Sequence, residues 1–371
     1  MNADDSSFRV LFLTPAMGVG GVGRQLLELS KSLSEKGHEV RILSLRPIGN
    51  FGQKARSAGI SVESLGVESK LLAPVVVLKI RREIQSFEPD VVHAHLYHAI
   101  VMGRLANLGS DITLISTIHN TYDYNPTEHG TTVRDRVYTL TDRWSDLTTF
   151  VSDAALRRYT SVGAVPEAKS RRVYNGINVN DFKPLSSGEG SSETFTWISV
   201  GNLEEQKDIH TLLEAVRLLR DWGAELSVLI VGEGPLEADL KKESRKLGVE
   251  GNVQFEGRVE SVVEYLNLAD AFVLSSRWEG FGLVVAEAMA CELPVVATNT
   301  GGPSEIIRDE ETGLLAQPES PVDLADKMQD IMNMSPEERS LYGKVGRDRV
   351  VNQFSIDEIT DEWLNIYEKY Q

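Results

Sequence analysis

The chain has 371 residues, too many for one ordinary hydrophobic core and close to two domains at roughly 150 residues each. Its 41% hydrophobic and 25% charged residues, with 30 Gly and 13 Pro, belong to a globular protein and exclude disorder, collagen and coiled coil. A net charge of -17 argues against general nucleic-acid binding, which needs a basic footprint, and the single Cys291 leaves neither an internal disulfide nor a cysteine-rich metal framework.

The chain opens on a polar, acidic segment, Met1 to Ser7, unlike a secretory signal, and nowhere holds the roughly 18 apolar residues of a spanning helix. A cytoplasmic protein is expected. Short stretches rich in Val, Ile and Leu follow at 8–14, 39–45, 61–65, 90–94, 112–118 and 147–152, alternating with helix-length segments. That alternation predicts a parallel sheet covered by helices on both faces.

After the first strand, Gly18-Val19-Gly20-Gly21-Val22-Gly23 opens a helix predicted over 24–36 and matches G-x-G-x-x-G. Glycines there let backbone amides approach a phosphate beside a helix N-terminus, so a dinucleotide is the first ligand to weigh. The second strand, however, ends Leu43-Ser44-Leu45-Arg46, with no carboxylate for a ribose. Only Arg46, facing a 2′-phosphate, keeps an NADP-dependent oxidoreductase as an alternative. His93, His95 and His98 follow the fourth strand and His119 the fifth; ordinary neutral, structural roles are the expectation for the first three. They lack the helical pairing with a carboxylate that zinc favours, and no D-x-D is present to carry a magnesium diphosphate. Ser152 and Asp153 read as the N-cap of the helix after the sixth strand.

Past Lys183-Pro184-Leu185, the run Ser186-Ser187-Gly188-Glu189-Gly190-Ser191-Ser192 is too polar to pack and marks a boundary. Strands at 195–200, 226–231, 253–256, 271–275, 295–298 and 314–316 then repeat the architecture. The expected organisation is a domain over 1–183, a second over 193–350, and a helical tail, 351–371. Two doubly wound α/β domains would face each other across a cleft, with ligands at the carboxyl ends of the strands. The tail carries Trp363, Leu364, Ile366, Tyr367 and Tyr370, too apolar for a free terminus, and is expected to dock on the first domain. Charge divides unevenly: 21 basic against 18 acidic residues in 1–180, and 17 against 37 in the remainder. If either domain meets an anionic membrane, it is the first.

The richest segment is Ser275-Ser276-Arg277-Trp278-Glu279-Gly280-Phe281-Gly282-Leu283-Val284-Val285-Ala286-Glu287-Ala288-Met289. A buried strand ends, two glycines follow, and a helix starts near Leu283, which makes a second anion site. Glu279 and Glu287 would repel a phosphate, so their targets are hydroxyls to either side of it, as a nucleotide sugar provides. Lys207 stands just before a helix predicted over 208–220, where the dipole disfavours a cation unless a phosphate lies between them.

In these residues the chain resembles the retaining glycosyltransferases of the GT-B fold, family 4, whose E-x7-E motif is matched by Glu279 and Glu287. The resemblance extends to Val200-Gly201-Asn202-Leu203 with Lys207, Phe255-Glu256-Gly257-Arg258, Gly301-Gly302-Pro303-Ser304-Glu305, Tyr174-Asn175-Gly176-Ile177, and Gly20-Gly21 with His38. It implies a nucleotide-sugar donor, a UDP-hexose before a GDP-mannose type, on the second domain, and a saccharide or lipid-linked acceptor on the first. Neither a cofactor nor a metal is implied. Catalytic roles are implied for Glu279, Lys207 and His119, and donor contacts for Gly20, Gly21, Gly201, Asn202, Lys207, Gly257, Arg258, Glu279, Gly280, Phe281, Gly282, Leu283 and Glu287. Glu279 would hold the sugar, Glu287 the ribose, and backbone near Arg258 the base. Two positions depart from the pattern: Asn202 replaces a second cation, leaving a catalytically inactive nucleotide-sugar binder as a further alternative, and Glu292 replaces a glycine after the motif helix.

Overall fold

The computed structural model describes residues 7–18, 20–67, 73–119, 131–185 and 194–371. Val19 of the glycine loop, Asn120 after His119 and the expected linker 186–192 lie outside them. The chain divides into two compact units, Met1–Gly176 with Ile356–Gln371, and Ile177–Ser355.

In the first unit the elements run β1 (Arg9–Thr14), α1 (Gly21–Glu35), β2 (Glu39–Ser44), α2 (Asn50–Ser57), β3 (Ser61–Ser64), α3 (Ala73–Phe87), β4 (Val91–His95), α4 (Tyr97–Ala106), β5 (Thr113–Ile118), α5 (Val133–Thr141), β6 (Leu147–Phe150), α6 (Asp153–Ser161) and β7 (Ser170–Arg172). The described strands form one parallel sheet, ordered β3-β2-β1-β4-β5-β6-β7. Strand order reverses between β1 and β4, so the loops after those two strands leave the sheet in opposite directions at a topological switch point. Three polar residues, Ser170, Arg171 and Arg172, make β7; such a strand has no apolar signature and follows from pairing with β6 alone.

The helix after the glycines starts at Gly21, three residues before the predicted residue 24, so the second half of the motif forms its first turn. A Cβ at Gly23 would come within 2.9 Å of the Phe51 ring, which ties α1 closely to α2. One face of the sheet packs against α3 to α6 through Val76, Ile80, Ile100, Tyr138 and Tyr159. The other packs against α1 and a final helix, α14 in chain order (Ile356–Tyr370), whose Ile356, Ile359, Trp363, Ile366 and Tyr367 share a core with Phe8, Val10 and Phe12. Burying each such side chain contributes about 1.5–3 kcal/mol, which holds the chain's end in place.

The second unit repeats the plan with β8 (Phe195–Val200), α7 (Ile209–Asp221), β9 (Leu226–Val231), α8 (Glu237–Leu247), β10 (Val253–Gly257), α9 (Val262–Leu266), β11 (Ala271–Leu274), α10 (Leu283–Ala290), β12 (Val295–Thr298), α11 (Pro303–Ile306), β13 (Leu314–Ala316), α12 (Pro321–Asn333) and α13 (Pro336–Phe354). Its parallel sheet runs β10-β9-β8-β11-β12-β13, with the reversal between β8 and β11. The expected boundary at 183–193 differs from the observed one at Gly176. The intervening residues belong to the second unit because Arg347 donates to the carbonyls of Val179 and Phe182, and the Ile177 amide donates to Phe354 O at 2.7 Å. Likewise α13 continues past residue 350 to Phe354, four residues beyond the expected end.

Candidate active site

The switch point of the second unit gathers the loops after β8 and β11. A three-residue turn, Glu205–Lys207, leads to Asp208, whose left-handed backbone (φ 45°, ψ 49°) swings the chain into α7. The expected helix start at 208 is therefore a cap. Asp208 accepts from the Thr211 hydroxyl at 2.7 Å and pairs with Arg277 at 3.3 Å. The two loops are laced by backbone and side chain: the Arg277 amide donates to Gln206 O at 2.8 Å, Ser275 Oγ to Lys207 O at 2.8 Å, and Gln206 Nε2 to Trp278 O at 3.0 Å.

On this frame the Lys207 ammonium pairs with the Glu279 carboxylate, their side chains 15% and 13% exposed. The Lys207 stem lies over Gly201, where any Cβ would meet its Cε at 3.0 Å; the glycine at the end of β8 makes room for the lysine. Glu279 is further contacted by Ser276 Oγ at 3.5 Å and Gln206 Nε2 at 3.5 Å. Its oxygens are thus held without being saturated, since a carboxylate accepts about four hydrogen bonds.

Gly282, in the left-handed region at φ 91°, caps α10, and Gly302 has no room for a side chain, its would-be Cβ falling 2.1 Å from Phe281 Cα. Gly280 and Phe281 are buried and Leu283 begins the helix, whose first turn carries partial positive charge; within it the Val285 amide donates to the Gly282 carbonyl at 2.9 Å. Glu287, in the second turn of α10, is 1% exposed, which rules out a merely solvated surface carboxylate. Cys291, at the end of that helix, has its thiol pushed up to about 12 by burial and then by Glu287, so it is an inert packing residue. Gly257 ends β10 at φ 67°, its carbonyl accepting from Gly232, and Arg258 pairs loosely with Glu233 at 3.5 Å. Asn202 is exposed at the turn. Gly201, Lys207, Glu279 and Gly282 are thus brought into direct neighbourhood; Gln206, Ser276 and Arg277, which hold them, were not singled out from the sequence. Nothing local marks them, since Gln206 and its partner Trp278 lie 72 residues apart.

In the first unit Gly20 caps α1 at φ 110° and ψ 170°, with open space where a side chain would stand. His119 follows β5, 8% exposed, and its Nε2 bonds His95 Nδ1 at 2.8 Å. Desolvation lowers its pKa to about 3, and His93 and His95 also fall well below 6.5, first by burial and then through neighbouring imidazoles. His93 is bonded at both nitrogens, to Tyr367 OH at 2.9 Å and Thr117 Oγ1 at 2.6 Å. Thr117 continues to Thr149 at 2.7 Å, and Thr149 reaches the Ser116 carbonyl at 3.4 Å. A carbonyl only accepts, so donation runs one way, from Tyr367 through His93 Nε2–H and Thr117 to Thr149. His98 stands apart on α4, exposed.

Two doubly wound parallel units, one carrying a lysine, two carboxylates and a glycine-capped helix at its switch point, define the GT-B class of glycosyltransferase. The family model for glycosyl transferases group 1 matches residues 186–349, and that for glycosyltransferase family 4 matches residues 19–181. The chain belongs to the group 1 glycosyltransferases and is a glycosyltransferase enzyme, which overturns the oxidoreductase alternative. It is 27% identical to the N-acetyl-alpha-D-glucosaminyl L-malate synthase of Bacillus anthracis over 94% of each chain. It is 25% identical to a glycogen synthase of Mycobacterium tuberculosis, covering 95% of this chain and 92% of that one. In fold it is similar to Anabaena HepE, crystallised with UDP and glucose, at a TM-score of 0.85 and 22% identity over 98% of this chain and all of the other.

Proposed function

We propose that the enzyme transfers a hexose from a nucleoside diphosphate, UDP before GDP, to a hydroxyl of a saccharide or lipid-linked acceptor in glycan, lipopolysaccharide or capsular polysaccharide synthesis, retaining anomeric configuration and using no metal. The Lys207–Glu279 pair beside the glycine-capped N-terminus of α10 carries this reading. The leaving diphosphate gains charge in the transition state, and Lys207 with the amides of Phe281, Gly282 and Leu283 stabilises it in this reading. Glu279 then accepts from sugar hydroxyls and Glu287 from the ribose, with backbone at Gly257 and Arg258 toward the base; Gly201 admits the lysine, and Asn202 and Gly280 complete the loops. For Gly20, Gly21 and His119 of the first unit, the family resemblance implies donor contacts. UDP-glucose and UDP in crystals of Anabaena HepE support the choice of base.

A thermal-shift panel of UDP, GDP, ADP, TDP, NADH and NADPH in EDTA tests the base and the metal together. Stabilisation by one diphosphate alone is expected, about 2.7 kcal/mol at 100 times its dissociation constant; stabilisation only with added Mg²⁺ overturns metal independence. NMR of the product anomer then separates retention from inversion, and absence of turnover with every donor would favour the inactive binder that Asn202 suggests. We further place the enzyme in the cytoplasm as a monomer or weak dimer, in peripheral contact with the membrane through the first unit. No helix of the described residues is long and apolar enough to span a membrane. Val75, Leu78 and Arg82 are exposed on α3, and Val133, Arg134, Arg136 and Leu140 on α5. Sedimentation with anionic liposomes at low and moderate salt tests the contact; no binding at either dismisses it.

A further inference from the structure

The histidines at the switch point of the first unit differ in how completely they are bonded. Both nitrogens of His93 have partners, whereas His95 Nε2 and His119 Nδ1 are buried without one among the described residues. An unbonded buried polar atom costs about 1–3 kcal/mol, so two side by side call for an explanation. The inner nitrogens, His95 Nδ1 and His119 Nε2, share one bond at 2.8 Å. Between two neutral imidazoles that bond holds a single proton, and it couples the tautomers. If His95 donates, His119 Nδ1 carries the other proton; if His119 donates, its Nδ1 is a bare lone pair. The outer atoms therefore always present one donor and one acceptor.

We propose that His95 is a positioning residue of glycosyl transfer, which holds the plane of the His119 ring and dictates whether its outer nitrogen donates or accepts toward the transferred sugar. This rests on the reading that His119 contacts that sugar. The surroundings are built for such a task. Leu96, directly after His95, has φ 67° and ψ 155°, a conformation close to glycine's own and costing on the order of 1–3 kcal/mol in a leucine. Its amide donates to Thr117 O at 3.2 Å, tying the end of β4 to the strand that carries His119. On its other side the His95 ring lies against His93, ring centres 4.1 Å apart, and His93 is fixed by Tyr367 and by Trp363 at 4.4 Å. The last helix of the chain thus supports His93, His93 supports His95, and His95 supports His119.

The test compares the full-length protein with His95→Asn, whose amide reaches the position of Nδ1 and can donate or accept, and with His95→Leu, which fills space without a hydrogen bond; His95→Phe replaces the leucine variant if that does not fold. In histidine-ring ¹H–¹⁵N spectra, His119 Nε2 is expected to be hydrogen-bonded in the wild type and in His95→Asn, and unbonded in His95→Leu. An unchanged His119 signal in the apolar variant overturns the proposal. With the nucleotide sugar selected by the panel, the apolar variant is expected to lose on the order of tenfold in kcat at nearly unchanged donor KM, with the asparagine variant regaining most of it. Equal losses in both, or none in either, overturn it as well. His119→Ala is the control for the underlying reading: wild-type kinetics there removes His119 from the donor, while the ring spectra of the wild type and of the His95 variants still report on the pair.

Discussion

The two switch points use opposite electrostatics. In the second unit Lys207 and Glu279 stay at the edge of solvent, 15% and 13% exposed, and form an ion pair. In the first unit His93, His95 and His119 are buried completely enough to lose theirs, so they act only as neutral hydrogen-bonding groups. The contrast suits the proposed function, in which charge answers a diphosphate and uncharged donors and acceptors answer hydroxyls. Burial, more than residue type, decides which of the two a polar side chain can be.

That comparison can be broken most forcefully by pH. The three buried histidines are neutral in the folded protein, while in the unfolded chain they take up protons below about 6.5. Their folded pKa values are depressed, so stability is present above the unfolded value and is lost as pH falls, by about 1.4 kcal/mol per unit for each. Denaturation midpoints should therefore drop steeply between pH 6.5 and 5, and His119→Asn should make the slope shallower; a flat profile would mean charged imidazoles. Next in size, Lys207→Ala should cost roughly 3 kcal/mol of transition-state stabilisation, a loss of at least 100-fold in donor turnover, since one preorganised donor to the leaving group disappears. Wild-type turnover would remove the charged switch point from catalysis.

Glu287→Gln sharpens the comparison within the second unit. Replacing a buried carboxylate acceptor is expected to weaken UDP binding about tenfold by calorimetry, and equal affinity would deny it the ribose. The smallest effect concerns the end of α10. Glu292 holds a left-handed backbone at φ 62°, and its carbonyl lies where Gly343 would otherwise carry a side chain. Glu292→Gly should raise stability by about 1 kcal/mol in thermal unfolding with donor turnover unchanged, because glycine adopts that conformation without strain.

Much of this was legible in the order of residues. Apolar strands of three to seven residues, alternating with helix-length segments, announce a parallel sheet because both faces must be covered. Glu279, Gly282 and Glu287 lie within nine residues of one another, so their spacing alone carries chemistry. The strand Ser170–Arg172 was not legible, since its polar residues are drawn into the sheet only by a neighbour. The unit boundary at Gly176 was hidden for a similar reason: the polar run at 186–192 is conspicuous, whereas the residues before it are claimed by Arg347 from far along the chain.

Local physics therefore determined the fold class and the candidate-site motif: period, turn chemistry and helix termini act over a few residues and are written in sequence. Tertiary structure alone decided who holds whom. Lys207 meets Glu279 across 72 residues, His95 meets His119 across 24, and Tyr367 meets His93 across 274. Hydrogen bonds and ion pairs are governed by distances in space, which a sequence of this kind leaves open until its sheets have set the register of their strands.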